Sequence, residues 1–149
     1  MNTLLDEEYG KLEYNTEKHF LKLTLIGDVS DEDYKHIWEL SLEEARKTKC
    51  GNVLLDQRQI GFIKMKSRAW LILKWMPKSR QTAQDIEQRL AILPSRHIAH
   101  KTGLQYLLDA LKKVVGQGFT SFDSEEEAVL WLSSTKNENK KEQEAENEV

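Results

Sequence analysis

From Ala69 to Met76 every residue but Lys74 is apolar: Ala69, Trp70, Leu71, Ile72, Leu73, Trp75 and Met76. A helix resting on a sheet needs only one apolar stripe. One that is apolar nearly all round must be buried on several sides, or else meet a ligand, a partner or a bilayer. The run is far too short to span a membrane. Upstream, Gly51 leads into Val53-Leu54-Leu55, a short apolar run that reads as a buried strand. Pro77 is expected to end the helix, because the residue before a proline avoids the helical region.

Charge sharpens the choice. Between Gln57 and Gln84 there is no Asp or Glu, but there are seven cations: Arg58, Lys64, Lys66, Arg68, Lys74, Lys78 and Arg80. The whole chain has a net charge of −3, so the remainder carries −10. Cations interleaved with Trp, Leu, Ile and Met suit an interfacial helix or an anion-binding rim. A helix wedged between a sheet and a dimer partner would look the same, since Lys and Arg stems cover apolar surface anyway.

The flanking sequence supplies strands and helices in alternation. Leu12–Tyr14 and Phe20–Ile26 read as an antiparallel pair, with Asn15–Lys18 as the turn. Leu21, Leu23 and Leu25 alternate with Phe20, Lys22 and Thr24. Ser30 is placed to cap a helix with acids in its first turn and basic residues in its last. Its inward stripe is Tyr34, Ile37, Trp38, Ser41, Leu42 and Ala45, and Gly51 is expected to follow as the stop. Beyond Pro77 come a polar connector (78–88) with a short helical turn near Ala83–Ile86, a strand at Leu90–Leu93, a long helix over His97–Val115, a strand at Phe119–Phe122, and a last helix capped by Ser124. From Thr135 the chain is polar and lacks aromatics, as a disordered tail does. One domain over 1–134 with a tail over 135–149 is expected. The order β-β-α-β-α-β-α-β-α implies parallel strands with right-handed crossovers and one antiparallel edge strand.

Chemistry is scarce. No Walker loop, dinucleotide glycine fingerprint or nucleophile elbow is present. Cys50 is alone, so no disulfide framework or cysteine metal knuckle is expected. His97 and His100 could share a helix face, but a metal site needs three or four ligands, and no metal or cofactor is expected. Asp56 and Arg58 follow the central strand, where α/β sheets meet ligands; a plain salt bridge is the other reading. Ser67, near the start of the Trp-rich helix, is a candidate phosphosite or an ordinary N-cap. Mild acidity argues against nucleic acid. No signal peptide or membrane-length run opens the chain, so a cytoplasmic protein is expected, with peripheral contact to the inner membrane face as a further option.

Leu55-Asp56-Gln57-Arg58, Trp75-Met76-Pro77, Leu90-Ala91-Ile92-Leu93-Pro94, and Phe122-Asp123-Ser124-Glu125 through Glu127-Ala128 to Trp131-Leu132 together resemble the STAS fold. The closer likeness is to small stand-alone bacterial SpoIIAA-like proteins, which also resemble CRAL-TRIO lipid-binding domains. The resemblance spans about Glu8 to Ser133. It implies a five-stranded mixed sheet, its first strand antiparallel, flanked by about four helices, with the helix after the third strand as a mobile lid. It also implies non-enzymatic binding of an apolar small molecule, a lipid or an anionic membrane surface. On the charge and apolar pattern described above, the contacting residues would be Lys64, Lys66, Arg68, Trp70, Leu71, Leu73, Lys74, Trp75 and Met76. The alternative is an anti-sigma-antagonist type of protein-interaction module. Such antagonists carry a phosphorylated Asp-Ser pair after the central strand. Here that loop reads Gly61-Phe62-Ile63-Lys64-Met65-Lys66-Ser67, without the pair. Self-association into a homodimer is compatible with either.

Overall fold

The computed structural model describes residues 1–95 and 119–134. A six-stranded sheet runs in sequence order: β1 (Asn2–Glu7), β2 (Gly10–Asn15), β3 (Phe20–Val29), β4 (Gly51–Ile63), β5 (Gln88–Leu93) and β6 (Phe119–Ser121). The β1–β2 and β2–β3 pairs are antiparallel, and β3 through β6 are parallel. The expected antiparallel strand is therefore β2, but it is not the edge. An additional strand, β1, pairs outside it. Its only apolar side chains are Leu4 and Leu5, adjacent and too few for a clear alternation.

Helix α1 (Asp31–Thr48) begins as expected, with the Asp33 amide donating to Ser30 Oγ at 3.1 Å. Its whole expected stripe is buried. It does not stop on a glycine. Lys49 takes the left-handed position (φ 57°), and the amides of Lys49 and Cys50 both donate to the Ala45 carbonyl. Gly51 serves the sheet instead, because a Cβ there would overlap the Glu87 carbonyl oxygen.

The Trp-rich region is longer than expected. Helix α2 (Met65–Trp70) passes through one wide π turn (Leu71–Trp75) into α3 (Met76–Thr82). Pro77 does not end the helix; it sits in the opening turn of α3. The Met76 amide donates five residues back to Leu71. After that widened turn a proline can open the next one, where a missing N–H costs little.

Two cores flank the sheet. On one face, Leu21, Leu23, Leu25, Val53, Leu55 and Ile92 pack with Trp38 and Ile37 of α1 and with Leu71, Ile72, Trp75 and Met76. On the other, Phe20, Leu54, Ala91 and Leu93 pack against Ala128 and Leu132 of α4 (Glu125–Ser133). The alternation expected along β3 is what divides these faces. Helix α4 opens on Ser124 as expected, with Oγ accepting from the Glu127 amide at 3.2 Å. No helix among the described residues is long and apolar enough to cross a membrane. The expected helix over His97–Val115, the His97/His100 pair and the tail from Thr135 lie outside the described residues.

Candidate functional site

Strand β4 outruns its neighbour. It pairs with β5 only from Gly51 to Asp56, but with β3 as far as Ile63 opposite Val29. Twice, three residues of β4 span two of β3, at Asp56–Gln59 and at Ile60–Ile63. Such slips bend a strand and re-aim its side chains. The projecting end is pinned by Asp28, whose Oδ1 accepts from the Phe62 amide at 2.7 Å. Any Cβ at Gly61 would overlap that carboxylate oxygen and also lie 2.9 Å from the Gly27 backbone carbon, so the close approach of β3 favours glycine there. Ile60 and Ile63 point inward, while Phe62 stands 59% exposed.

Lys64 then turns the chain into α2, its carbonyl accepting from the Ser67 and Arg68 amides. Met65 is 57% exposed, and Lys64 and Lys66 are exposed beside it. Ser67 is wholly buried. Its hydroxyl donates to Asp31 Oδ1 at 2.8 Å, tying α2 to the first turn of α1. This hydrogen bond, followed by those from Lys35, holds the Asp31 carboxyl below its ordinary pKa. A Ser67 phosphate would face that carboxylate at close range. Arg68 is 91% buried and lies beside Tyr34, whose hydroxyl is pushed up to about 12 chiefly by burial.

The remaining residues of the expected contact face divide sharply. Leu71, Trp75 and Met76 are buried in the core, and Trp75 Nε1 donates to the Trp38 carbonyl at 2.9 Å. Trp70 is half-buried, with Lys35 over its ring. Only Leu73 and Lys74 on the π turn, with Lys64 and Lys66, face solvent. Beneath Trp75 and Met76, described residues including Trp38, Val53, Leu90 and Phe119 line a cavity of about 50 Å³. That is room for one or two waters, not for an acyl chain.

Asp56 and Arg58 are brought together, but with each other. Asp56 is buried inside β4, not beyond its end, and its carboxylate accepts from the Arg58 amide, Nε and Nη2 at 3.1, 3.0 and 2.8 Å. Arg58 also approaches Glu125, which binds Lys22 at 2.5 Å. Burial pushes the Asp56 carboxyl up, yet the Arg58 hydrogen bonds outweigh it and leave the pKa lowered. A carboxylate so neutralised is a weak base; its evident work is to tie β4 to the start of α4. Among the described residues no cluster of three His, Cys, Asp or Glu could hold a metal ion.

Sequence reasoning missed the exposure of Phe62. The signal was available in Gly61-Phe62, an aromatic beside a glycine at a strand end. Which face it takes depends on the two slips in register, and these are not visible in the sequence.

A six-stranded mixed sheet with α1 through α3 on one face and α4 on the other defines the class: this is the SpoIIAA-like, or STAS, fold. Among solved structures, the chain is similar to the anti-sigma factor antagonist SpoIIAA in its unphosphorylated form, with a TM-score of 0.53 and 15% identity over 81% of this chain and 94% of that one. It is similar also to the Bacillus cell fate determinant SpoIIAA in the phosphorylated form (0.56, 18%, 83% and 98%). An uncharacterised DUF3478 protein with a SpoIIAA-like fold from Shewanella loihica PV-4 gives 0.57 and 19% over 89% of this chain and 98% of that one. At these identities the likeness is one of fold. No protein-family model matches the sequence, and no curated protein matches it.

Proposed function

We propose that this chain is a non-catalytic protein-interaction module of the anti-sigma-antagonist type, docking its partner on the projecting end of β4 and the start of α2. One observation carries it: Phe62 and Met65 stand exposed at 59% and 57%, flanked by the exposed Lys64 and Lys66. Neither lysine takes part in a salt bridge among the described residues. Aromatic and methionine side chains ringed by polar ones are the ordinary make-up of a docking patch. Two of the similar folds are an anti-sigma factor antagonist and a cell fate determinant, which favours a protein partner over a lipid. The burial of Leu71, Trp75 and Met76 favours it too, since the residues best suited to enter a bilayer are engaged in the core.

A switch at Ser67 would act indirectly. The serine is enclosed, so a kinase would reach it only after α2 parts from α1, and the added charge would then oppose Asp31.

A photo-crosslinking amino acid placed at position 62 or 65, in the source cells, is expected to trap a discrete protein. The same group at Leu130, 72% exposed on α4, should trap none. Flotation with anionic vesicles is expected to leave the protein unbound. Vesicle binding that falls with salt, or adducts no different from those at Leu130, would overturn the assignment.

A further inference from the structure

Among the described residues Arg68 has no counter-ion. It is 91% buried, yet no described carboxylate lies within salt-bridge distance and its guanidinium makes no hydrogen bond among them. The contrast with Arg58 and Arg89 is direct. Each of those has a carboxylate beside it, and Arg89 also donates to three carbonyls. Burial lowers the Arg68 pKa, and among the described residues the ionisable group set against that effect is the Tyr34 hydroxyl. A guanidinium loses solvation when it is enclosed, and recovers the loss only by pairing. Replacing such a group by an apolar side chain of similar volume is commonly neutral or stabilising. An arginine held in this way is poorly explained by stability alone.

The surroundings state what would complete it. Lys64, the extended residue that caps α2, and Lys66 in its first turn add two more cations to the same short segment. No acid occurs between Gln57 and Gln84, and the two carboxylates that reach this surface from elsewhere are engaged, Asp28 by the Phe62 amide and Asp31 by Ser67 and Lys35. The Arg68 nitrogens are not sealed off as Trp38 Nε1 and Arg89 Nε are, so the fork keeps some contact with water. An inorganic anion would satisfy the charges but leave Phe62 and Met65 uncovered. A protein segment with a carboxylate next to apolar side chains satisfies both. Resting on the docking surface described above, we propose that Arg68 is the anchor of that surface: it receives an Asp or Glu side chain of the partner in a two-pronged hydrogen bond, while apolar neighbours of that acid cover Phe62 and Met65. The guanidinium fork matches a carboxylate in a way that the flanking lysines cannot.

The test uses the full chain and synthetic twelve-residue peptides. One set carries a single Glu between Leu and Phe residues, the second carries Gln in its place, and inorganic phosphate serves as the third probe. The Arg68 Nε–H resonance is followed by NMR, and affinities by calorimetry. The Glu peptides are expected to shift that resonance and to bind about tenfold or more tightly than their Gln counterparts. Arg68→Met and Arg68→Lys should each lose that preference, and Arg68→Met should unfold at an unchanged or higher urea concentration. Phosphate, which lacks the apolar contacts, should shift the resonance far less than the Glu peptides at the same concentration. Unchanged Glu preference in Arg68→Met, a Glu peptide set that never shifts the Nε–H signal, or a phosphate shift as large as the peptide's would each overturn the proposal. So would a clear loss of stability in Arg68→Met, which would make the arginine structural. Peptide binding that survives in Arg68→Met but is lost in Phe62→Ser would remove the anchor and leave the docking surface standing. Trapping at positions 62 and 65 no different from Leu130 would remove the surface itself.

Discussion

Trp75→Ala is the perturbation that decides whether the Trp-rich helix is a lid or a wall. Trp75 is 8% exposed, its ring meets Trp38 edge-on at 4.9 Å, and its Nε1–H donates to the Trp38 carbonyl. A buried tryptophan removes roughly 150–250 Å² from water. At about 25 cal/mol per Å², losing most of that agrees with the roughly 3–5 kcal/mol seen for buried Trp→Ala changes. The orphaned carbonyl adds little, because Ser41 Oγ also donates to it at 2.6 Å. Trp75→Phe keeps most of the area and loses the hydrogen bond, for about 2 kcal/mol. Leu73, two residues away on the same turn, is 66% exposed, and Leu73→Ala should stay within about 0.5 kcal/mol. Urea unfolding followed by far-UV circular dichroism reads all three. With a slope near 2 kcal/mol per M, Trp75→Ala should lower the midpoint by about 2 M. A Trp75→Ala cost below about 1 kcal/mol, matched by Leu73→Ala, would refute the packed arrangement and restore a lid that swings free.

The Asp56–Arg58 pair makes a pH-dependent prediction. The folded-state pKa of Asp56 is lowered, so its carboxylate contributes stability that is present above the unfolded pKa of about 4 and lost as pH falls through the folded value. Asp56→Asn should cost about 2–3 kcal/mol at pH 7, and the gap to the parent should narrow below about pH 4; a gap independent of pH would dissociate the charge from the effect. Arg89 reaches the carbonyls of Trp131, Leu132 and Ser134 at 3.0, 3.2 and 2.6 Å and lies over the Trp131 ring, closing the end of α4. Arg89→Gln should cost about 2 kcal/mol and speed amide exchange in α4 ahead of the rest of the sheet; exchange unchanged in α4 would show that the helix end does not depend on it.

Much of the fold was legible because its signals are local. Ser30 caps α1, acids and bases sit at the matching ends, and the stripe from Tyr34 to Ala45 repeats with helical period, so α1 forms on the face the sequence marks. Alternation along β3 placed Leu21, Leu23 and Leu25 on one side and Phe20 on the other, and the two cores keep that division. Tertiary structure decided what depends on neighbours. β1 is a strand because β2 offers it an edge, not because Asn2–Glu7 demands one. β4 runs on through Asp56, Gln57 and Arg58 because the carboxylate finds the guanidinium at once and is neutralised where it is buried. Pro77 is tolerated because a wide turn precedes it.

The candidate site divides along the same line. By itself, the sequence determined that the segment after the central strand is basic, lacks acids and carries more apolar surface than one stripe can bury. Those are properties of composition and spacing, and no packing can change them. Only the tertiary structure decided which apolar residues are covered. The Trp38 carbonyl receives Trp75, so the tryptophan goes inward, while two slips in register and the Asp28 carboxylate turn Phe62 outward. Whether a side chain is core or surface is a property of the partner it meets, and that partner lies elsewhere in the chain.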